Sequence, residues 1–315
     1  HLLGGNLPMT AIVQDNMLSR TKIFYTGFDA NICTIQRKYK NLYVYKEEYM
    51  YPARRVLNHF NANMREFIDQ QRKQGNKYGF VNFITSNNGF TLADLFMYND
   101  RHNEANGEDN LDGNSWNFSN NYGVEGTTRK HYINKLRKLK WRNSMAMLFL
   151  AQGVPLVWSG DEIGNSQQGN NNAYCQDNPV GWVNWKNEKT HRREIRFLEQ
   201  LAQFRREHPI VANEMPFQFS DYRSYGSPDL SFHGESAWIL EPSEGRMALG
   251  MMYNGAYSTD ERYTEDVYVA YNFYSAASTL ALPKLEKDKH WYLVLDTSDD
   301  KMPFLEKPVL QERGD

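Results

Sequence analysis

Cysteine is nearly absent: Cys33 and Cys175 are the two thiols in 315 residues. Two isolated cysteines give no disulfide framework and no metal-ligand cluster. They suit a reducing cytoplasm, where unpaired thiols persist. An excess of charge of one sign is also missing. Lys and Arg number 36 against 38 Asp and Glu, for a formal net charge of −2. No overall basic field therefore argues for nucleic acid as a partner. No apolar run approaches the roughly 20 residues that a membrane helix needs. The most apolar segment, 145–150, runs out at Gln152, Gly153 and Pro155. No signal peptide is visible, and the chain begins at His1 rather than Met, so further residues are expected before it. Internal repeats and low-complexity tracts are lacking as well.

What is present is enough for a packed core. Hydrophobic residues make up 40% and aromatics 14%, with 20 Tyr and 7 Trp. Most of these rings are expected to pack the core, and a minority could stack on sugars. The length suits two domains. Residues 80–85 read as a short apolar strand that breaks at Ser86-Asn87-Asn88-Gly89, and 20–29 read as another strand with a turn. Val56, Phe60, Met64, Phe67 and Ile68 fall at helical spacing, predicting one helix over 56–74 with Pro52 before it and Gly75 as its cap. The Tyr- and Lys-rich run 37–51 reads as a loop. Residues 129–152 predict a long helix whose seven Lys and Arg up to Arg142 face water. A strand is expected over 154–159 and a closing helix over 190–207. Beyond this the period becomes two, with strands over 247–253, 267–273 and 291–296.

Two stretches carry a resemblance. The first, GFVNFITSNNGFTLADLFMYNDRHNEANGEDN at 79–110, is followed by DG, SWN and GVEG. The second, SGDEIGNSQQGNNNAYCQDN, spans 159–178. Both resemble the glycogen debranching enzymes and isoamylases of the α-amylase superfamily of glycoside hydrolases. The resemblance implies the second half of a (β/α)8 TIM-type barrel over 1–209, then an antiparallel β-sandwich over 210–315. Overall this is an α/β plus all-β chain. The earlier barrel strands are absent from this sequence, so the N-terminal half of the barrel is an expected partner segment. An open half-barrel exposes two strand edges, and the isolated chain is expected not to unfold as a stable, cooperative monomer.

The resemblance also locates the chemistry. A retaining hydrolase sets a nucleophilic carboxylate and an acid/base carboxyl about 5–5.5 Å apart. The family's acid/base Glu position holds Thr26, followed by Gly27, Phe28 and Asp29. The family's His-Asp pair is Asn87-Asn88, and aligning His1-Leu2-Leu3 with the fourth strand puts Leu3 at the nucleophile position. A threonine hydroxyl cannot protonate a leaving oxygen near neutrality. No catalytic set is intact by this reading. Glu47, Glu48, Glu104, Glu108 and Asp109 could replace it only if held rigidly, and all are expected on loops.

The polar loops are retained. The resemblance makes Tyr98, Asn99, His102, Asn103, Glu104, Asn106, Asp161, Glu162, Gln168, Asn170, Asn171, Tyr174, Gln176 and Asp177 the expected sugar-binding residues. In the family, Asp161 and Glu162 support barrel and cleft instead of attacking the sugar. The leading expectation is a debranching-enzyme relative that binds branched α-glucan such as glycogen, with hydrolysis lost or impaired. The rivals are an active α-1,6-glucosidase completed by its N-terminal half, and a scaffold for a partner protein. No metal or organic cofactor is implied, and neither nucleic acid nor a membrane is an expected partner.

Overall fold

The computed structural model describes residues 7–26, 41–45, 47–76, 78–239 and 245–311. Helix α1 (Leu7–Gln14) leads into an open parallel sheet with strands in sequence order: β1 (Ile23–Tyr25), β2 (Leu42–Tyr45), β3 (Gly79–Asn82) and β4 (Val154–Pro155). Tyr43 pairs with Gly79, Val44 with Phe80 and Tyr45 with Val81. Gly79 suits this register because a Cβ there would lie 2.7 Å from the Tyr43 ring. Parallel strands in sequential order need helical crossovers. Helices α2 (Met50–Asn58) and α3 (Met64–Gln71) supply one, between β2 and β3. Helices α4 (Leu92–Leu95) and α5 (His131–Phe149) follow β3, and α6 (Arg192–Glu207) follows β4.

Three expectations are corrected here. The run 37–51 is not simply a loop, because it contains β2. Leu42 and Val44 of LYVY alternate inward, and Tyr43 and Val44 pair on both sides. The helix expected over 56–74 is two. His59 adopts the left-handed conformation (φ 60°) after α2. The Asn63 side chain then caps α3 by accepting from the N–H groups of Arg65 (3.0 Å) and Glu66 (3.2 Å). Asparagine competes for backbone groups in this way and favours caps over helix interiors. Phe60, expected on the buried face, is exposed, and Pro52 lies within the first turn of α2 instead of before it.

The basic face of α5 is the third correction. Arg137 and Arg142 are buried and Lys140 is half-buried. Their long stems end on loop carbonyls: Arg137 donates to those of Gly126 (2.7 Å), Asn121 (2.9 Å) and Val124. Arg142 donates to Thr297 (2.8 Å) and Lys140 to Leu57. A buried carbonyl needs a donor, and these cations supply it.

The C-terminal part is antiparallel. Strands β5 (Leu230–His233), β6 (Ala248–Tyr253) and β7 (Val267–Asn272) form one sheet, and β8 (Tyr292–Leu295) pairs with β9 (Phe304–Leu310). β7 shows the expected alternation, with Val267, Val269 and Tyr271 buried. One apolar cluster joins α2, α3, α5 and α6 to β5–β7. Phe67 of α3 meets Tyr271 and Phe273 edge-on, both at 5.4 Å, a favourable ring geometry.

Arg205 of α6 closes the seam between helices and sheet. Its guanidinium donates to the carbonyls of Phe149 (2.7 Å), Ala151 (2.6 Å), Gln152 (3.2 Å) and Gly153 (2.6 Å), just past the end of α5. Burial lowers its pKa to about 10, which leaves it charged at neutrality. Helix-end carbonyls have no partners within the helix. Arg205→Met is expected to keep the packing but orphan these acceptors. We predict a loss of about 3 kcal/mol in urea unfolding, measured on the chain joined to an N-terminal barrel half. A loss below about 0.5 kcal/mol would show that water replaces the guanidinium.

Candidate functional site

The strands are parallel, so the chain leaves β2, β3 and β4 at the same edge of the sheet, the side on which α/β barrels carry their chemistry. The strand β3 continues as buried Phe83, Ile84, Thr85 and Ser86, then turns outward so that Asn87 and Asn88 are exposed. The turn is tied by the Asn88 N–H donating to Ser86 Oγ (3.3 Å). Thr26, just past β1, is exposed too. Leu3, Gly27, Phe28, Asp29 and Cys33 lie outside the described residues. Cys175 is a free, exposed thiol.

Behind the turn, Asp161 is buried in a short 3-10 helix, Asp161–Ile163. Its Oδ2 accepts from Thr85 Oγ1, its Oδ1 accepts from the Leu92 N–H (2.8 Å), and its backbone carbonyl accepts from Trp141 Nε1 (2.9 Å). Glu162 turns back to accept from the Gly160 N–H (2.9 Å). Arg54 is fully buried in the same layer and donates to the carbonyls of Ile84 (2.8 Å) and Asn117 (3.2 Å). Asp94, also buried, accepts from Ser166 Oγ and the Gln167 N–H.

The long segments 99–126 and 161–178 are joined by a lattice of amides. Asn103 Oδ1 accepts from the Asn171 N–H (2.9 Å), and its Nδ2 donates to Asn171 Oδ1 (2.9 Å) and the Asp112 carbonyl (3.0 Å). Asn171 Nδ2 donates to Asn117 Oδ1 (2.9 Å) and the Asn114 carbonyl (2.7 Å). Asn106 Oδ1 accepts from Asn170 Nδ2 (2.8 Å) and Gln176 Nε2 (2.7 Å), and its Nδ2 donates to Asp112 Oδ2 (2.8 Å). Amides of Asn106, Asn172 and Asn103 hold the Asp112 carboxyl below the usual range. Gly113 (φ 78°) passes so close that a Cβ would meet Asn171 Oδ1 at 2.2 Å.

The expected sugar-binding residues therefore divide. Asn103, Asn170, Asn171 and Gln176 are buried in this lattice, Asp161 is buried behind the β3 turn, and Tyr98, Asn106 and Glu162 are half-buried. Asn99, His102, Glu104, Gln168, Tyr174 and Asp177 are exposed. His102 Nε2 lies 3.2 Å from Glu125 Oε1, Tyr174 donates to Glu108 Oε1 (2.8 Å), and Asp177 accepts from Trp182 Nε1 (2.9 Å). Exposed Trp116 stacks with Phe118 at 6.2 Å and 23°. Glu47, expected on a loop, lies in the turn between β2 and α2, two residues past the end of the strand. It lines a cavity of about 450 Å3 with Thr26, Tyr45, Glu48 and Tyr51. Alternation in LYVY was the one signal that could have located it.

Two predictions follow from these buried groups. Asn171→Ala removes three side-chain hydrogen bonds and should cost about 3 kcal/mol. It should also speed amide exchange across 99–126 while leaving α5 protected. The second concerns pH. Burial raises the carboxyl pKa of Asp161 to about 7 and that of Asp94 to about 6. The folded state thus holds these protons above the ordinary value of 3.8, where the unfolded chain releases them. Their contribution to stability is full at low pH and falls as pH rises from about 4 to 7, by roughly 1.4 kcal/mol per unit and group. Asp161→Asn can still accept from Leu92 and donate to Thr85. Its unfolding free energy should fall less steeply over this window, and an unchanged slope would mean that Asp161 ionises normally.

No family model matches the chain. Curated relatives do. The glycogen debranching enzyme of Pectobacterium atrosepticum is 43% identical over 151 residues, 48% of this chain and 23% of the relative. The chloroplastic isoamylase 1 of Arabidopsis thaliana is 35% identical over 235 residues, 74% of this chain and 28% of the relative. The chain thus spans about a quarter of the length of these relatives. Among solved structures, pullulanase type I of Bacillus subtilis, complexed with maltose, superposes with a TM-score of 0.57 at 15% identity, covering 93% of this chain and 37% of that one. A pullulanase of Anoxybacillus complexed with maltotetraose gives 0.54 at 14% identity, over 86% and 35%. These structures speak for the fold, and the sequence relatives for the family. By its sequence relatives, this chain resembles the glycogen debranching enzymes and isoamylases of the α-amylase superfamily, consistent with their C-terminal half.

Proposed function

We propose that this chain binds branched α-glucan without hydrolysing it. The observation that carries this reading is the contrast at the working face. Thr26, Asn87 and Asn88 stand exposed at the ends of β1 and β3, and none of them supplies a carboxyl. The loops around them are nonetheless held by a continuous amide lattice. Hydrolysis with retention needs two carboxyl groups across the bond, whereas binding needs only fixed polar groups and ring faces. The division by burial refines the role of each residue. Asn103, Asn106, Asn170, Asn171, Gln176 and Asp161 hold the loops, with Glu162 and Tyr98 beside them. Asn99, His102, Glu104, Gln168, Tyr174 and Asp177 meet the sugar. Exposed Trp116 offers a ring face, held in place by its buried neighbour Asn117.

The names of the relatives and the maltose and maltotetraose of the fold neighbours support an α-glucan as ligand. In the same reading, the four parallel strands are the latter half of a (β/α)8 barrel that an N-terminal half completes. The two antiparallel sheets form a β-sandwich beginning near residue 210. The free exposed thiol of Cys175 suits the cytoplasm.

Native electrophoresis with glycogen in the gel tests the proposal. Retarded migration with no release of reducing ends is the expected result. Trp116→Ala should weaken binding roughly five- to tenfold, the value of one stacking contact. Unchanged mobility of the parent protein would remove glucan binding, and reducing ends released from a branched glucan would remove the non-hydrolytic part.

A further inference from the structure

We infer that Glu47 is a sugar-binding carboxylate, the acceptor for glucose hydroxyls in the cavity beside Thr26. This deepens the glucan-binding reading and rests on it. Three observations place Glu47 there. First, its backbone is fixed, because its carbonyl accepts from the N–H groups of Met50 (3.1 Å) and Tyr51 (3.4 Å) at the start of α2. Second, its side chain is aimed. Oε2 accepts from Tyr51 Oη (3.0 Å), and Tyr51 Oη in turn accepts from Asn114 Nδ2 (3.2 Å). The Asn114 carbonyl belongs to the Asn171 lattice, so Glu47 is coupled to the loops that the glucan would cross. Third, the cavity has the right walls. Tyr45 lies stacked on Phe83 (4.6 Å, 18°), near Ser86, whose hydroxyl holds Asn88.

The ligand class follows from this lining. At about 450 Å3 the cavity is within the usual range for small ligands. Two tyrosine rings offer apolar faces and hydroxyls. Glu48 forms an ion pair with Lys73, whereas Glu47 accepts a hydrogen bond from the neutral Tyr51 hydroxyl and feels the Arg54 charge only through space. A carboxylate offers about four acceptor sites, and Tyr51 uses one. An anionic ligand would be repelled by two glutamates. Among the described residues no three His, Cys, Asp or Glu side chains are grouped to hold a metal ion. A neutral polyol with hydroxyl donors and an apolar ring face fits, and an α-linked glucose unit is such a polyol.

Calorimetric titration of the full chain with maltotetraose tests this, comparing the parent protein, Glu47→Gln, Trp116→Ala and Tyr51→Phe. Glu47→Gln keeps the shape and the acceptor for Tyr51, so its melting temperature should match the parent's. It should nonetheless bind about tenfold more weakly, because charge-assisted hydrogen bonds to the sugar are lost. Tyr51→Phe should lose a smaller factor. If the parent binds and Trp116→Ala weakens it, but Glu47→Gln binds like the parent, the role of Glu47 is overturned while glucan binding stands. If the parent does not bind, both readings fall. If the parent cleaves a glucan and Glu47→Gln abolishes cleavage, Glu47 is a proton donor and the inference is overturned.

Discussion

Asp161 is a carboxylate held out of water, and the candidate site is arranged around keeping it hydrogen-bonded. One residue joins three elements: Thr85 at the end of the β3 segment, the first turn of α4 through the Leu92 N–H, and α5 through Trp141. A buried ionised group without such partners would cost several kcal/mol. Its pKa is raised because burial outweighs the hydrogen bonds from Thr85 and Leu92. The arrangement also fixes where the Ser86–Gly89 turn leaves the sheet. Everything that projects from the turn, Asn87 and Asn88 included, inherits its position from a carboxylate that never meets solvent.

The same demand extends outward through the loops. Segments 99–126 and 161–178 have little regular structure, so their backbone groups need other partners. Arginines take the carbonyls: Arg54 those of Ile84 and Asn117, Arg137 those of Gly126, Asn121 and Val124. Asparagines bond to one another and to the remaining carbonyls. A network this densely paired stiffens the chain, although Asp112 Oδ1, Arg54 Nη2 and Arg137 Nε find no protein partner in it. Such loops present their exposed side chains with little ordering left to do on binding, which is what recognition of a flexible, neutral chain requires.

Much of this was legible in the sequence, and the rest was hidden for physical reasons. The strand-then-turn at 80–89 and the 131–149 helix follow from runs and periods. β2 was hidden because a four-residue strand between Lys- and Tyr-rich flanks has too little alternation to stand out. With β2 unseen, Glu47 could not be placed just past a strand end. The break at 59–63 was hidden because Val56, Met64, Phe67 and Ile68 keep helical spacing across it, all four being buried. The cap by Asn63 is a local hydrogen bond that apolar periodicity does not register. Arg137 and Arg142 looked like a solvated face because composition does not reveal which carbonyls a long side chain can reach. For the site, motif matching gave the residue types of both loops. It could not separate Asn171, which faces inward, from Asn99, which faces out.

That last separation bears on how retained motifs should be read. Asn103, Asn106, Asn170 and Asn171 are needed for the loops to fold at all, whether or not a sugar ever binds. Their presence is therefore equally expected of a hydrolase, a binding protein and a bare scaffold. Thr26, Asn87 and Asn88 are the opposite case. They are exposed and contribute little to the buried network, so the fold places few demands on which side chain stands at these positions. Chemistry and scaffold are thus separable in this chain. Evidence for a ligand has to come from groups that folding does not require: the exposed ring of Trp116 and the carboxylate of Glu47 in its cavity. Both lie on the side of the sheet where the strand ends open, and that shared position, more than the motifs, is the physical case for a glucan surface.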